Sequence, residues 1–197
     1  QVGGNDDLLF DGRSVIAWPN GTAVIAPAWK EGILIADLSS PEGCVWIGDG
    51  ELSILGSDED VEDEEDDLLD AIIIGLSDYC RKSGISKIVL GLSGGIDSAL
   101  AACVASAAVG PANVTGISMP SRHSSQHSID DARATAEALG IVFSLQPITE
   151  LHNAADSALA ELLENGNPVA GENLQARLRG LIVMAHANAN GAMAIAT

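Results

Sequence analysis

Leu90-Gly91-Leu92-Ser93-Gly94-Gly95-Ile96-Asp97-Ser98-Ala99-Leu100 is the stretch on which the reading of this chain turns. Residues 87–92 form a short β-branched run and residues 98–109 an Ala-rich helical one. The glycines therefore fall where a strand ends and a helix begins. In an open parallel sheet, that carboxyl edge is where ligands bind. Gly94 and Gly95 can take positive φ and let an anion approach the backbone closely. The N–H groups and dipole of the helix start complete an anion cradle. Ser93 and Ser98 offer hydroxyl donors, and Asp97 offers a carboxylate suited to a Mg²⁺ ion that bridges phosphate oxygens. The loop is not a Walker A motif, because the chain holds no Gly-Lys pair. Its glycines are adjacent, so it is not G-x-G-x-x-G either.

Outward from the loop, helix and strand alternate. Upstream, Leu68, Leu69, Ile72, Ile73, Leu76 and Tyr79 recur at helical spacing, and Gly84 stands as a stop. Downstream, Gly110-Pro111 ends the Ala-rich helix and residues 114–119 read as the second strand. Ser128 with Asp131 reads as a capping box opening a helix that ends at Gly140. Residues 141–145 form the third strand, 150–164 and 172–189 two helices, and 192–197 the last strand. The pattern predicts an α/β fold with a doubly wound parallel sheet.

Residues 1–40 read differently, as β-structure with short runs at 14–17, 23–26 and 33–37 and a turn at Pro19-Asn20-Gly21. No helix covers these strands, so they are expected to belong to a larger sheet with its remainder upstream. Residues 41–67 read as a linker. Pro41 and the glycines at 43, 48, 50 and 56 break periodicity, and nine of the ten residues from 58 to 67 are acidic. Such a block repels itself and stays solvated. With no initiator Met and an apolar run at its end, the chain is read as a segment of a longer protein.

Composition narrows the function classes. The 197 residues carry 28 acidic against 9 basic side chains, a net charge of −19. Nucleic-acid binding needs the opposite balance, so no nucleic-acid partner is expected. No apolar run approaches the roughly 18–20 residues of a membrane helix, so no membrane partner is expected either. Three cysteines at irregular spacing predict free thiols in a reducing, cytoplasmic compartment. His123 and His127 are four apart, a zinc-like spacing, but no cysteine or third histidine stands beside them. They read as polar loop residues. His152 and His186 read as hydrogen-bonded helix residues, and Cys103 as a small buried hydrophobe.

Ser93-Gly94-Gly95-Ile96-Asp97-Ser98 resembles the pyrophosphate loop of the N-type ATP pyrophosphatases, whose sheet is Rossmann-like, of the adenine nucleotide alpha hydrolase type. Two further stretches narrow the resemblance to NAD synthetases. Met119-Pro120-Ser121-Arg122-His123-Ser124-Ser125 is similar to their Met-Pro-Ser-Arg-Tyr-Ser-Ser. Glu172-Asn173-Leu174-Gln175-Ala176-Arg177-Leu178-Arg179-Gly180 is similar to their Glu-Asn-Leu-Gln-Ala-Arg-x-Arg-Gly. Gln1-Val2-Gly3-Gly4-Asn5-Asp6-Asp7-Leu8-Leu9-Phe10-Asp11-Gly12-Arg13-Ser14 resembles the end of a nitrilase-type, αββα glutamine amidohydrolase domain. That domain precedes the synthetase domain in the glutamine-dependent members. The resemblance divides the chain into a nitrilase-like tail over 1–40, the acidic linker over 41–67 and the front of a synthetase domain over 68–197.

The resemblance also implies roles. Gly91, Leu92, Ser93, Gly94, Gly95, Ile96, Asp97, Ser98 and Thr197 would bind ATP, Asp97 would hold Mg²⁺, and Asn173 and Arg177 would contact deamido-NAD. In company with Asn173 and Gln175, Arg177 and Arg179 read as anion contacts rather than surface charges. The implied reaction is the ATP-dependent amidation of deamido-NAD to NAD through an adenylated acid, with ammonia from glutamine and no side-chain nucleophile in this segment. A homo-oligomer, a dimer or larger, is implied as well. Departures are His123 for the family's Tyr, Gly171 for a frequent Glu, and a chain that stops before Gly-Asn-Lys-Ser-Glu. Cys44, Cys80 and Cys103 lack the Cys-x-Asp/Glu setting of a nitrilase nucleophile, which places the glutaminase groups upstream of Gln1. The competing readings are a tRNA-modifying or GMP-synthetase-like relative with the same loop, and a nucleotide-binding segment with incomplete catalysis.

Overall fold

The computed structural model describes residues 1–5, 7–55, 64–122, 124–165, 167 and 169–196. They form two units, Gln1–Tyr79 and Cys80–Thr197. The first consists of short antiparallel strands. β1 (Val2–Asn5) pairs with β2 (Leu8–Asp11), and β3 (Val15–Ala17) with β4 (Ala23–Ile25). β5 (Gly32–Ile35) pairs with β6 (Val45–Gly48), and β7 (Ser53–Leu55) joins the free edge of β4. The Pro19-Asn20-Gly21 turn forms as expected: Gly21 takes φ 89° and the Trp18 N–H donates to the Thr22 carbonyl at 2.9 Å.

The linker expected over 41–67 is corrected. β6, β7 and a 3₁₀ turn at Pro41–Gly43 lie inside it, paired into the first unit. Gly48, read as a breaker, sits in β6 because a Cβ there would come within 2.8 Å of the Glu31 carbonyl oxygen. Residues 56–63, which include the first part of the acidic run, lie outside the described residues. Residues 64–67 open helix α1 (Glu64–Ser83).

The first unit holds α1 through two carboxylates. Asp67 accepts from Arg13 Nη2 at 2.7 Å and from Trp29 Nε1 at 2.6 Å, while Arg13 Nη1 reaches Asp11 at 2.9 Å. Both donors to Asp67 have positive φ, 24° and 56°, a region such side chains rarely enter. Three turns along, the buried Asp78 accepts the Gly4 N–H at 2.8 Å. The division between the two units falls between Tyr79 and Cys80, inside the helix.

The second unit carries the predicted parallel sheet. β8 (Ile88–Gly91) leads to α2 (Ile96–Val109), β9 (Val114–Ser118), α3 (Gln126–Leu139) and β10 (Val142–Leu145). Helices α4 (Thr149–Ala158), α5 (Ala160–Asn165) and α6 (Val169–Asn190) then return the chain to β11 (Met193–Ile195). The single helix expected over 150–164 breaks at Leu159, whose ψ of 11° ends α4. α3 is capped not by Ser128 but by Ser125, whose hydroxyl accepts the Ser128 N–H at 3.2 Å. The capping oxygen must precede the N–H it satisfies, and Ser125 stands three residues ahead.

The strand order is β10-β9-β8-β11, all parallel. Parallel crossovers are right-handed as a rule, which carries α2 and α3 over one face as the chain moves outward from β8 to β10. The return to β11 on the far side of β8 reverses that direction and puts α6 on the other face. Accordingly α2 packs on α3, and α6 on α4, β8 and β11. Gly116 lies in central β9 because a Cβ there would run into the Leu92 side chain. Val89, Ile117, Met119 and Ile148 form a buried cluster, closed by Ile182 and Val183 of α6 and by Ala192. Burying each such side chain stabilises the fold by about 1.5–3 kcal/mol.

Ile117 is fully buried, so Ile117→Ala is expected to destabilise the second unit by about 2–5 kcal/mol. Urea unfolding followed by helical circular dichroism, which reads mostly this unit, checks it. All three tryptophans, Trp18, Trp29 and Trp46, lie in the first unit, so their fluorescence reports that unit alone. The Arg13 guanidinium, then the Trp29 indole, hold the Asp67 carboxyl below the usual carboxylate range. Its contribution is therefore present above that range and lost as pH falls through the lowered value. Asp67→Asn should flatten the fall in fluorescence-detected stability between about pH 5 and pH 3.

Candidate functional site

At the point where the strand order reverses, between β8 and β11, the carboxyl ends of the strands leave a cleft of about 760 Å³. Gly91, Leu92, Ser93, Gly95, Asp97 and Ser98 line one part of it. Ser118, Met119 and Pro120 follow from β9, Ser128 and Ile129 from α3, and residues 194–196 from β11. Ala176, Arg179, Gly180, Val183 and Met184 line it from α6, a spacing of three and four that defines one helix face.

The loop is knitted by its own side chains. Ser98 is buried and donates its hydroxyl proton to the Gly95 carbonyl at 2.9 Å, while its oxygen accepts the Ser93 N–H at 3.2 Å. Ser93 Oγ lies 3.1 Å from Ser98 Oγ and accepts the Gly95 N–H at 3.1 Å. The two hydroxyls expected to face an anion are thus spent on holding the loop's shape. What remains for an anion is the helix start. Gly95 caps α2 without a side chain, and the first helical bond is Ala99 N–H to the Gly95 carbonyl. The N–H groups of Ile96, Asp97 and Ser98 precede that bond, at the positive end of the helix dipole.

Gly94 has φ 83°, and a Cβ on it would collide with the Ser128 carbonyl oxygen at the start of α3. Its role is backbone approach, with the loop lying against the first turn of a second helix. Gly94 and Ile96 do not line the cleft, and Ile96 is 80% exposed. Asn173 and Arg177 are exposed on α6 and also lie outside the lining. Asn173 stands three residues before Ala176, toward the helix start, and Arg177 directly after it. Thr197 and His123 lie outside the described residues. Sequence reasoning missed the α6 face beyond residue 180, although its small and apolar residues at helical spacing carry the signal.

Asp97 is exposed and faces the cleft from the first turn of α2. A hard carboxylate oxygen suits Mg²⁺. Among the described residues no group of three or more His, Cys, Asp or Glu side chains could hold a metal. The expected structural role of His186 fits its 2.9 Å contact with Gln146, and the buried His152 sits 3.5 Å from Asp156. Cys103 is exposed rather than buried, because the cleft and core lie against other faces of α2. All three thiols are free. Among the described residues no helix is long and apolar enough to cross a membrane.

The family model described as NAD synthase matches residues 68–197. The chain is 43% identical over 199 residues to the glutamine-dependent NAD(+) synthetase of Rhodobacter capsulatus, covering 100% of this chain and 35% of that protein. It is 44% identical over 203 residues to the Synechocystis enzyme of the same name, covering 100% of this chain and 34% of that one. Among solved structures, the glutamine-dependent NAD+ synthetase of Acinetobacter baumannii in complex with adenosine diphosphate aligns with a TM-score of 0.78 at 29% identity. That alignment covers 98% of this chain and 36% of the other. The chain thus spans about a third of the length of the curated relatives it matches.

Gly94→Ala places a Cβ at positive φ and against backbone, and is expected to destabilise the second unit by about 1–3 kcal/mol. Gly95→Ala, at φ −89° and facing only the Ser93 hydroxyl, should cost clearly less. Paired thermal melts of the two variants check the order.

Proposed function

Because the chain belongs to the NAD synthase family, we propose that it supplies the nucleotide-binding part of an enzyme that amidates deamido-NAD to NAD using ATP. Ammonia would come from glutamine hydrolysed in a preceding domain. The observation that carries this reading is the cleft at the strand reversal, where the open N–H groups of α2 and the Asp97 carboxylate meet the same space.

A carboxylate is a poor acyl donor, because its leaving group would be oxide. In the proposed first step a nicotinate carboxylate oxygen attacks the α-phosphorus of ATP, and the bond to pyrophosphate breaks. In the second, ammonia attacks the activated carbonyl, the bond to AMP breaks, and the attacking nitrogen gives up a proton as the amide forms. The loop's share is positional and electrostatic: the N–H groups of Asp97 and Ser98 hold phosphate oxygens, and no side-chain nucleophile is needed. Asp97 is the residue that would hold Mg²⁺, which when bound neutralises charge on the phosphate oxygens. Leu92, Ile129, Val183 and Met184 offer the apolar surface a purine base would cover.

Asn173 and Arg177 are proposed to contact deamido-NAD, supported by their exposed places on α6 within one turn of the cleft-lining Ala176. Thr197 is proposed as a further ATP contact, supported by Ala196 beside it, which lines the cleft. The first unit is proposed as the tail of a nitrilase-like domain. Its exposed apolar face supports this: Ile33 pairs with Ile47 and Ile35 with Val45 across β5 and β6, all four exposed on one side. The protein is proposed to act as a cytoplasmic homo-oligomer, a reading supported by the three free thiols and by exposed Leu162, Val169 and Leu181.

The intact protein, given deamido-NAD, ATP, Mg²⁺ and ammonia, is expected to release NAD and AMP in equal amounts by chromatography. Absence of both products would overturn the proposed reaction. Asp97→Ala should lower kcat/KM at least about a hundredfold, and wild-type activity in that variant would overturn the role of Asp97.

A further inference from the structure

Arg179 is the one cation among the described residues lining the cleft, and Asp97 is the one acid. In a chain of net charge −19, the other arginines with recorded partners sit against carboxylates or a ring: Arg13 on Asp11 and Asp67, Arg122 on Asp156, and Arg133 over Phe143. Arg179 is different. Its Nε donates to the Met119 carbonyl oxygen at 3.2 Å, and among the described residues no carboxylate pairs with it. Removing a cation partly from water without a counter-charge is unfavourable, and the cleft is where the missing anion would sit.

The tether determines which donors remain. A guanidinium has five N–H groups in a planar fork; with Nε spent on a carbonyl, the four on Nη1 and Nη2 face outward as a bidentate pair. Met119 also fixes where that pair stands. It is buried at the carboxyl end of β9, and its terminal methyl is the atom a Cβ on Gly91 would meet at 3.1 Å. One residue thus touches both the strand that feeds the glycine loop and the side chain of Arg179. Arg177 cannot take this place. Two residues along a helix is a rotation of about 200°, and Arg177 is exposed outside the lining.

We propose that Arg179 is a phosphate-binding residue, its Nη fork closing on the phosphate chain of the nucleotide held by the loop. The proposal rests on the nucleotide reading given above, and it assigns the cationic contact to the nucleoside triphosphate rather than to the second substrate. The N–H groups of Ile96, Asp97 and Ser98 are neutral donors, and Asp97 is itself negative. Arg179 supplies the only fixed positive charge among the described lining residues for an anion carrying several negative charges.

Calorimetric titration of the intact protein with Mg·ATP, ADP, AMP and adenosine tests it. The informative variant is Arg179→Gln, because the glutamine Nε2 occupies the position of the arginine Nε. It keeps a donor for the Met119 carbonyl and removes only the charged fork. The expected result is a loss of ATP affinity of at least about tenfold, a smaller loss for AMP and none for adenosine, with an unchanged melting temperature. Equal losses for ATP and adenosine would reduce Arg179 to a structural tether, and undiminished ATP affinity would remove it from the phosphate site. Failure of the wild-type protein to bind ATP would instead overturn the nucleotide reading itself. Arg179→Met, which loses the tether as well, should match Arg179→Gln in its loss of ATP affinity and exceed it in lost thermal stability.

Discussion

β8 is hydrogen-bonded along both edges, to β9 on one side and to β11 on the other, with Ile88 and Leu90 wholly buried between helical layers. This double pairing is the constraint on which the cleft depends. A strand at the sheet edge would leave its carboxyl end open to solvent on one flank. Placed centrally, with the crossovers reversing direction around it, it delivers the chain into a crevice walled by helices from both faces. The glycine loop gains its function from that position, since an identical loop on an outer strand would have one wall. The Leu92 N–H bond to the Ile117 carbonyl, 2.8 Å, extends the pairing past the last residue of β8 and sets the direction in which the loop leaves.

Within the crevice, side chains and backbone divide the work in a way that residue types alone do not reveal. Serine in a phosphate loop suggests hydroxyls aimed at the ligand. Here Ser93 and Ser98 bond to each other and to the loop backbone, which frees the N–H groups of the following helix turn. Preorganisation of this kind places donors before any ligand arrives, so less ordering entropy is lost on binding. Gly94 serves the same end. Its positive φ and its contact with the start of α3 lock the loop between two helix N-termini.

The first unit follows another logic. Its strands are short and its sheets hold two or three strands each, so little of its apolar surface can be buried internally. Asp67 and Asp78 on α1 compensate locally, tying strands and loops to one helix through polar bonds rather than a broad apolar core. The same shortage explains why residues 41–55 read as linker. Three- and four-residue strands lie below the length at which alternation is visible, and Gly48 is a packing residue inside one of them. The family match begins at residue 68, yet the helix that opens it lies with the first unit as far as Tyr79.

By itself, the sequence determined the alternation of strand and helix, the place of the glycine loop between β8 and α2, and the parallel character of the sheet. Those properties are local, set by hydrophobic period, by β-branched runs and by residues that permit positive φ. Gly91 through Ser98, with the exception of Gly94 and Ile96, could be named as cleft residues for that reason. The tertiary structure alone decided that β11 lies beside β8, bringing residues 194–196 and the α6 face into the same space as a loop about a hundred positions earlier. It decided also that Arg179, and not Arg177, turns toward that space. Two arginines in one motif are equivalent as text; the helical rotation between them and the carbonyl of Met119 make them physically different.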